Sequence, residues 1–311
     1  MKRINYKSSA IIAVLLAVIS CFAQANNSNS IKTVEQLHPN LAAGVLTYAK
    51  VSVLPEGMLL KSEGIEISSN DIDKSISGQP EQFQAELTKN AFFVLEQEAT
   101  GKILKKVAAQ KLSEKGKDVN SMDDNQLVRS FFEELTKDVK VTDKDIETFY
   151  KENESVFCGT PLDSVRKQIE SYVLQDKKQR FVDQYIQTLG QKLEIVVSDL
   201  WTKQQAANAK DNPLDKVRAS GKPTLAIFSA ASCCGPDKMI PIRDALLKKY
   251  DTKINIVYIE PRKEQILAAR YGIRSIPTQI FFDKAGKEVF RHTGFFSKDQ
   301  ISKKLVEMGV K

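Results

Sequence analysis

Residues 228–241 read Phe-Ser-Ala-Ala-Ser-Cys-Cys-Gly-Pro-Asp-Lys-Met-Ile-Pro, and this segment is the most informative part of the C-terminal third of the chain. An apolar run typical of a β-strand, Pro223 to Phe228, leads into a turn of small residues that carries Cys233 and Cys234. After the turn the apolar residues recur with helical spacing. A cysteine between a strand and a helix N-terminus lies at the positive end of the helix dipole, which favours the thiolate. The pattern therefore predicts a nucleophile for disulfide exchange.

Strand and turn patterns continue downstream of this turn. The spacing of apolar residues predicts strands at 255–259, 279–282 and 288–292, and a helix at 262–271. Between the helix and the second of these strands lies Tyr-Gly-Ile-Arg-Ser-Ile-Pro-Thr (271–278). A proline directly before a strand indicates a strand start or an edge, because it lacks one donor for the ladder.

Residues 219–311 resemble the thioredoxin fold, through the cysteine-bearing strand–turn–helix and the Ile-Pro-Thr triplet. The resemblance implies an α/β domain in which Pro277 is a cis-proline that faces the reactive cysteine. It also implies that Ile276 and Thr278, on either side of Pro277, offer backbone hydrogen bonds to an extended substrate strand.

The chain departs from this family at the second cysteine, because thioredoxins carry Cys-x-x-Cys. If the Cys-Gly-Pro triplet is aligned, Cys234 is the nucleophile and Asp237 occupies the position of the resolving cysteine. If the alignment has no gap, Cys233 is the nucleophile, and the spacing of Phe228 and Pro241 slightly favours this register. Both registers stay open on the sequence.

The missing cysteine affects how a mixed disulfide is resolved. Adjacent Cα atoms lie about 3.8 Å apart, whereas disulfides prefer roughly 4.4–6.8 Å, so a bond between the two neighbouring cysteines would be strained. Resolution is expected from the neighbouring thiol, from Cys158, from a small thiol or from a membrane thiol reductase. In the Cys234 register, Asp237 opposes thiolate formation through its like charge. No metal site and no cofactor is predicted, since the only two histidines lie far apart in sequence.

The N-terminus predicts export. Three basic residues precede the apolar run 10–19, which is too short to span a bilayer and is typical of a secretory signal. Cleavage after Ala25 would remove residues 1–25 as the signal peptide. The alternative is a lipobox, Val-Ile-Ser-Cys, in which Cys21 is lipidated and becomes the mature N-terminus. Either way, the expected location is the periplasm.

Charge is distributed unevenly along the rest of the chain. Residues 219–311 hold 17 Lys and Arg against 9 Asp and Glu, whereas residues 26–218 hold 26 against 30. No basic motif interleaved with aromatic residues accompanies the excess, so nucleic acid is not a predicted partner.

The middle of the chain is predicted to be mainly helical. A mixed segment (26–57) precedes the helical domain (58–197), and a polar linker (198–218) follows it. Within the domain, Met58 to Ile67 predicts a short strand segment with a turn at Glu63-Gly64. Amphipathic helices are predicted at 81–112, 125–138, 143–153 and 161–189, with capping boxes that begin at Thr142 and Thr160.

This middle part resembles the N-terminal chaperone domain of SurA-type periplasmic foldases. The matching phrases lie at 59–67, 141–153 and 162–169. In those proteins a parvulin domain lies between the last two phrases, but here only Glu154 to Pro161 separates them, so prolyl isomerase activity is not implied. The resemblance implies a domain that holds client proteins.

Together the patterns predict an exported two-domain protein, with a helical chaperone-like domain followed by an α/β thioredoxin-like domain. The predicted function is thiol–disulfide exchange or isomerisation on unfolded or disulfide-containing exported proteins. The alternative is a non-enzymatic chaperone or scaffold whose thioredoxin fold is redox-inactive. Reactivity of the thiols distinguishes the two, because only an exchange enzyme needs an accessible cysteine of low pKa.

Overall fold

A computed structural model describes residues 31–154, 157, 159–231 and 237–310. The predicted signal peptide (1–25) with Cys21, and the cysteines at 158, 233 and 234, lie outside these residues. From Thr33 onward the chain forms one compact unit. We call residues 33–209 the helical region and residues 211–310 the C-terminal domain.

A four-stranded sheet lies within the helical region. Its strands are β1 (Lys50–Ser52), β2 (Met58–Ser62), β3 (Ile65–Ser68) and β4 (Ile195–Ser198), in the order β1-β4-β2-β3. The hairpin of β2 and β3 confirms the strand segment and the turn predicted at 58–67, and Gly64 at the turn has a φ of 73°. β4 runs parallel to β1 and antiparallel to β2, a pairing that the sequence pattern does not predict.

Helices surround this sheet and fill the chain between β3 and β4. In chain order they are α1 (Val34–Leu37), α2 (Ser69–Ser77), α3 (Glu81–Lys89), α4 (Ala91–Glu114), α5 (Asp124–Leu135), α6 (Asp143–Glu152), α7 (Leu162–Lys192) and, after β4, α8 (Asp199–Ala209). The main core joins α4 to the sheet, through Phe92, Leu95 and Ile103 on the helix and Leu60 and Val197 on the strands. The helical character predicted for this region is therefore present, with a small sheet inside it.

The single helix predicted over 81–112 is wrong at one position, because α3 ends at Lys89 and α4 begins at Ala91. Asn90 between them is buried, and its side-chain Nδ2 donates to the Glu86 carbonyl at 3.0 Å. A short amide side chain that bonds a nearby carbonyl competes with the helical ladder. The apolar residues keep one helical spacing across Asn90, so the sequence pattern does not indicate the break.

One of the two predicted capping boxes is confirmed. The Thr142 side chain accepts from the Asp145 N–H, and the Asp145 carboxylate accepts from the Thr142 N–H. The box predicted at Thr160 is wrong, since Pro161 occupies the N-cap and makes no side-chain cap. Because α7 begins one residue later than predicted, the Thr160 side chain is not at the capping position.

Residues 198–218, predicted to be a polar linker, are mostly helical. After α8 comes α9 (Pro213–Arg218), and Asn212 caps α9 by accepting from the N–H groups of Leu214 and Asp215, both at 3.0 Å. The buried residues of α8 are two alanines and one threonine. Small buried residues give a weak hydrophobic pattern, which explains why the packing of α8 is missed in the sequence.

The C-terminal domain is a four-stranded sheet with helices on both faces. Its remaining elements are β5 (Thr224–Phe228), α10 (Met239–Tyr250), β6 (Asn255–Ile259), α11 (Gln265–Arg270), β7 (Thr278–Phe282), β8 (Glu288–Thr293) and α12 (Lys298–Glu307). The strand order is β6-β5-β7-β8; β5 and β6 are parallel, and β7 is antiparallel to both of its neighbours. The predicted strands are confirmed with ends that move by at most one residue.

Alternation along the central strands separates two cores. On one face Leu225 and Phe281 pack with Leu246 of α10 and Leu305 of α12. On the other face the core residues of the strands are Ala226, Phe228, Ile280 and Phe282, which pack with Leu214 of α9 and Leu267 of α11. Among the described helices, none has both the length and the apolar character needed to cross a membrane.

A buried ion cluster joins the helical region to the C-terminal domain. Arg270 of α11 donates to the carbonyl of Ala209, the last residue of α8, at 3.0 Å and to the Asp215 carboxylate at 3.2 Å. Arg218 donates to the same carboxylate at 2.9 Å. The three charged side chains are at most 7% exposed. Two cations therefore share one buried carboxylate at this junction.

Candidate functional site

The predicted redox turn is bordered by two buried residues. Residues 232–236, which include Cys233 and Cys234, connect the end of β5 to the start of α10 and lie outside the described residues. On the strand side Ser229 is 2% exposed, and on the helix side Asp237 is 7% exposed. We call residues 232–236 the cysteine segment. The roles of its two cysteines, and those of Cys158 and Cys21, stay predictions.

Tyr258 of β6 connects residues on either side of the cysteine segment, Ser229 after β5 and Asp237 before α10. Its hydroxyl lies 3.0 Å from the Ser229 carbonyl and also donates to the Asp237 carboxylate. Burial, and then the hydrogen bond to Asp237, raise the pKa of the Tyr258 phenol well above its ordinary value. The phenol therefore stays protonated, and able to donate, at any physiological pH.

The Asp237 carboxylate, just before α10, accepts hydrogen bonds from two groups. Besides the Tyr258 hydroxyl, it accepts from the N–H of Met239, the first residue of α10, at 2.7 Å. A carboxylate that accepts from a free N–H of the first helical turn stabilises the helix and opposes the positive end of its dipole. Asp237 is thus held against the helix, three residues after Cys234. Its effect on that thiol stays a prediction.

The loop before β7 contains the predicted cis-proline, and β7 itself contacts the elements that precede and follow the cysteine segment. The Ile276–Pro277 peptide bond is cis, as the resemblance implies. Thr278 pairs in register with Phe228, the last residue of β5. The side-chain Nε2 of Gln279 lies 3.8 Å from the Sδ atom of Met239. Ile276 itself is 38% exposed, so its apolar side chain stands at the surface directly before the cis-proline.

Sequence reasoning missed Tyr258. It belongs to none of the motifs, and it stands in an apolar strand where an aromatic residue is expected from packing alone. The available indication is chemical, because a largely buried tyrosine usually finds a hydrogen-bond partner for its hydroxyl. Which partner it finds depends on a turn about 20 residues earlier in the chain, and local patterns do not contain that information.

The described residues contain no group of three or more His, Asp or Glu side chains that could hold a metal ion. His292 lies on β8, where its ring stacks on Phe296 with 4.3 Å between centroids. Burial lowers the pKa of His292 below its usual value, so the ring is neutral at pH 7.

Replacing Tyr258 by phenylalanine should lower the free energy of unfolding by about 1 kcal/mol, because the Asp237 carboxylate then loses a donor. Urea unfolding followed by far-UV circular dichroism measures the change. The matched control is Tyr250→Phe: Tyr250 is more deeply buried than Tyr258, at 2% exposed, and its hydroxyl has no partner among the described residues. That variant should be unchanged or more stable. Equal losses in the two variants would contradict the role given to Tyr258.

Comparisons with known proteins find relatives of the C-terminal domain. Residues 211–309 match the family described as thioredoxin-like domain. Thioredoxin 1 of Nostoc sp. is 35% identical over 102 residues, which are 32% of this chain and 94% of that protein. A thioredoxin of Porphyra purpurea is 38% identical over 76 residues, 24% of this chain and 70% of that protein. The crystal structure of thioredoxin NaTrxh from Nicotiana alata is 31% identical, with a TM-score of 0.27, and the match covers 30% of this chain and 80% of that one. Through residues 211–309, the chain belongs to the family of thioredoxin-like proteins.

Proposed function

We propose that this protein carries out thiol–disulfide exchange on exported proteins, with the helical region holding the client. A thioredoxin-like domain suggests a function of the oxidoreductase type. The observation that carries the proposal is the surroundings of the cysteine segment. Strand β5 leads into the segment, β7 pairs with the end of β5 directly after the cis peptide bond at Pro277, and α10 begins at Met239 beyond the segment.

The chemical step is attack by one thiolate on a client disulfide. Cys233 or Cys234 bonds to one client sulfur, the client S–S bond breaks, and the other client sulfur leaves as a thiolate that takes up a proton. A second thiolate then releases the mixed disulfide. If that thiolate belongs to the client, the protein regains its thiol and the net reaction is isomerisation. If it belongs to the neighbouring cysteine, to Cys158 or to glutathione, the client leaves reduced. A new disulfide then joins that second thiol to the cysteine that attacked first.

Backbone contacts at the cis-proline loop orient the client. Ile276 offers main-chain groups to an extended strand and its exposed side chain adds an apolar contact, whereas Thr278 on the other side of Pro277 is paired with Phe228 within the sheet. Extended chains are the form in which unfolded clients present their cysteines. This supports a polypeptide, rather than a small molecule, as the substrate.

Alkylation of each cysteine as a function of pH tests the function. The reactive thiol should have a pKa below the roughly 8.5 of a free cysteine, because it lies at a helix N-terminus. Its alkylation by iodoacetamide should therefore reach its plateau at a lower pH than that of a free cysteine. The residue whose replacement by serine removes this fast reaction, in Cys233→Ser or Cys234→Ser, is the nucleophile. If neither cysteine reacts faster than a free thiol near pH 7, the exchange function fails and the scaffold alternative takes its place.

The holding role and the location are further parts of the proposal. The β2–β3 hairpin and the packing of α6 against α7, with the Arg166–Asp143 ion pair at 3.0 Å, occur in the segments that resemble SurA-type chaperones. An aggregation assay with a chain in which Cys233 and Cys234 are both serine tests holding without exchange. Cell fractionation and the intact mass of the native protein test export and distinguish cleavage after Ala25 from lipidation of Cys21.

A further inference from the structure

A large cleft separates the helical region from the C-terminal domain. Its volume is about 1060 Å³. One wall is formed mainly by α4 and α7, which contribute Gln97 and Gln187, and the other by the residues after α11 and by β8. Small-molecule pockets occupy roughly 300–1,000 Å³. This cleft is above that range, and it can hold a segment of polypeptide.

The cleft is continuous with the cis-proline loop. Ser275 and Thr278, which lie on either side of Ile276 and Pro277, both line it. Thr278 is also the register partner of Phe228, after which the chain leads to the cysteine segment. The cleft therefore reaches the residue of β7 that pairs with the end of β5, the strand that leads to the cysteine segment.

The open edge of β8 borders the cleft. Three consecutive residues, Arg291, His292 and Thr293, line it. Because successive side chains of a strand point to opposite faces of the sheet, a cleft that all three line must pass around the strand edge. Among the described strands only β7 pairs with β8, so the outer edge has backbone N–H and C=O groups without strand partners.

The charged side chains of the cleft are mostly paired with each other. The pairs are Arg180–Asp176 at 2.8 Å, Arg274–Asp183 at 2.6 Å and Arg291–Glu288 at 2.8 Å. The lining also includes Glu35, Glu96 and Glu152, so the cleft has no positive excess that would attract a phosphate group or a nucleic acid. It offers polar side chains and an open strand edge, which suit the main chain of a peptide.

We propose that the cleft binds an extended, polar segment of the client polypeptide that adjoins the client cysteine. The segment lies along the outer edge of β8, with main-chain hydrogen bonds to that strand and side chains against α7. The helical region and the C-terminal domain thus bind one continuous stretch of client. The inference rests on the proposed function for the reaction of the client cysteine, but binding in the cleft does not require a thiol.

Peptides without cysteine test the cleft separately from the chemistry. The long probe is a fluorescein-labelled peptide of Ser, Gln, Thr and Val with about twelve residues, roughly 40 Å when extended. The short probe has about four residues of the same sequence. Fluorescence anisotropy measures the affinity of both for the full chain. The cleft variant is Gln187→Trp, which places a large ring in the cleft from α7. The matched control is Gln175→Trp, on the same helix, exposed and outside the cleft.

The unmodified protein and Gln175→Trp should bind the long peptide at least about tenfold more tightly than the short one. Gln187→Trp should lose this preference while its circular dichroism and its alkylation profile stay unchanged. Equal affinities of the unmodified protein for both peptides, or an undiminished preference in Gln187→Trp, would overturn the inference. Since the peptides carry no thiol, these results do not depend on whether the exchange function survives the alkylation test.

Discussion

Replacing Asp215 by alanine is expected to lower the free energy of unfolding by about 3–5 kcal/mol, the loss typical of a broken buried ion pair. The carboxylate accepts hydrogen bonds from Arg218 at 2.9 Å, from Arg270 at 3.2 Å and from the Tyr271 hydroxyl. Without it, two guanidinium groups that are at most 7% exposed have no counter-charge. A buried charge without a partner is among the most destabilising features of a protein.

The loss should affect both parts of the chain. Arg270 donates to the Ala209 carbonyl at the end of α8 as well as to Asp215, so its displacement disturbs the junction with the helical region. Burial, followed by the negative charge of Asp215, raises the pKa of Tyr271, which keeps this phenol a donor at all physiological pH values. The cluster therefore keeps its hydrogen bonds over the range in which the protein is expected to work.

Asp211→Ala is the matched control for Asp215→Ala. The Asp211 carboxylate also contacts two cations, Lys89 and Lys216, but its side chain is 61% exposed. Exposed ion pairs contribute at most about 1 kcal/mol, because water solvates the charges that remain. Urea unfolding followed by far-UV circular dichroism compares the two variants. Losses of the same size would show that burial does not determine the contribution of Asp215.

Replacing Gly190 by alanine should lower the free energy of unfolding by about 2 kcal/mol, although alanine favours a helix by about 1 kcal/mol over glycine. Gly190 lies in α7, where an added Cβ would stand 2.3 Å from the carbonyl oxygen of Val45. That oxygen belongs to the main chain, so it cannot turn aside as a side chain can. Either α7 or the 40–48 loop must move, and such overpacking costs at least about 1–3 kcal/mol.

Gly101→Ala is the corresponding control in a helix. Gly101 lies within α4, and an added Cβ there would meet no atom within 4 Å. This variant should raise the free energy of unfolding by about 0.5–1 kcal/mol, through the helix propensity of alanine alone. The two alanines should therefore act in opposite directions in the same unfolding assay. A gain in both would show that α7 does not approach the Val45 carbonyl closely.

Local sequence patterns were sufficient to predict several elements of the fold. Short, mostly apolar runs predicted β6, β7 and β8 nearly to the residue. The strand–turn–helix around the cysteines predicted the family that the comparisons bear out. The capping box at Thr142 and the turn at Gly64 followed in the same way. These features depend on residues within a few positions of one another, so a short stretch of sequence contains all of their causes.

Features whose residues have partners in distant parts of the chain became apparent only in the folded protein. The pairing of β1 with β4 joins segments on either side of all the helices from α2 to α7. The contacts of Tyr258 with Asp237 and of Arg270 with Asp215 likewise depend on which strands and helices meet. A lone tyrosine or arginine in a sequence gives no indication of its partner. When such a residue is buried, the stability of the fold depends on its partner. In a medium of low dielectric constant, an unpaired polar or charged group is strongly destabilising.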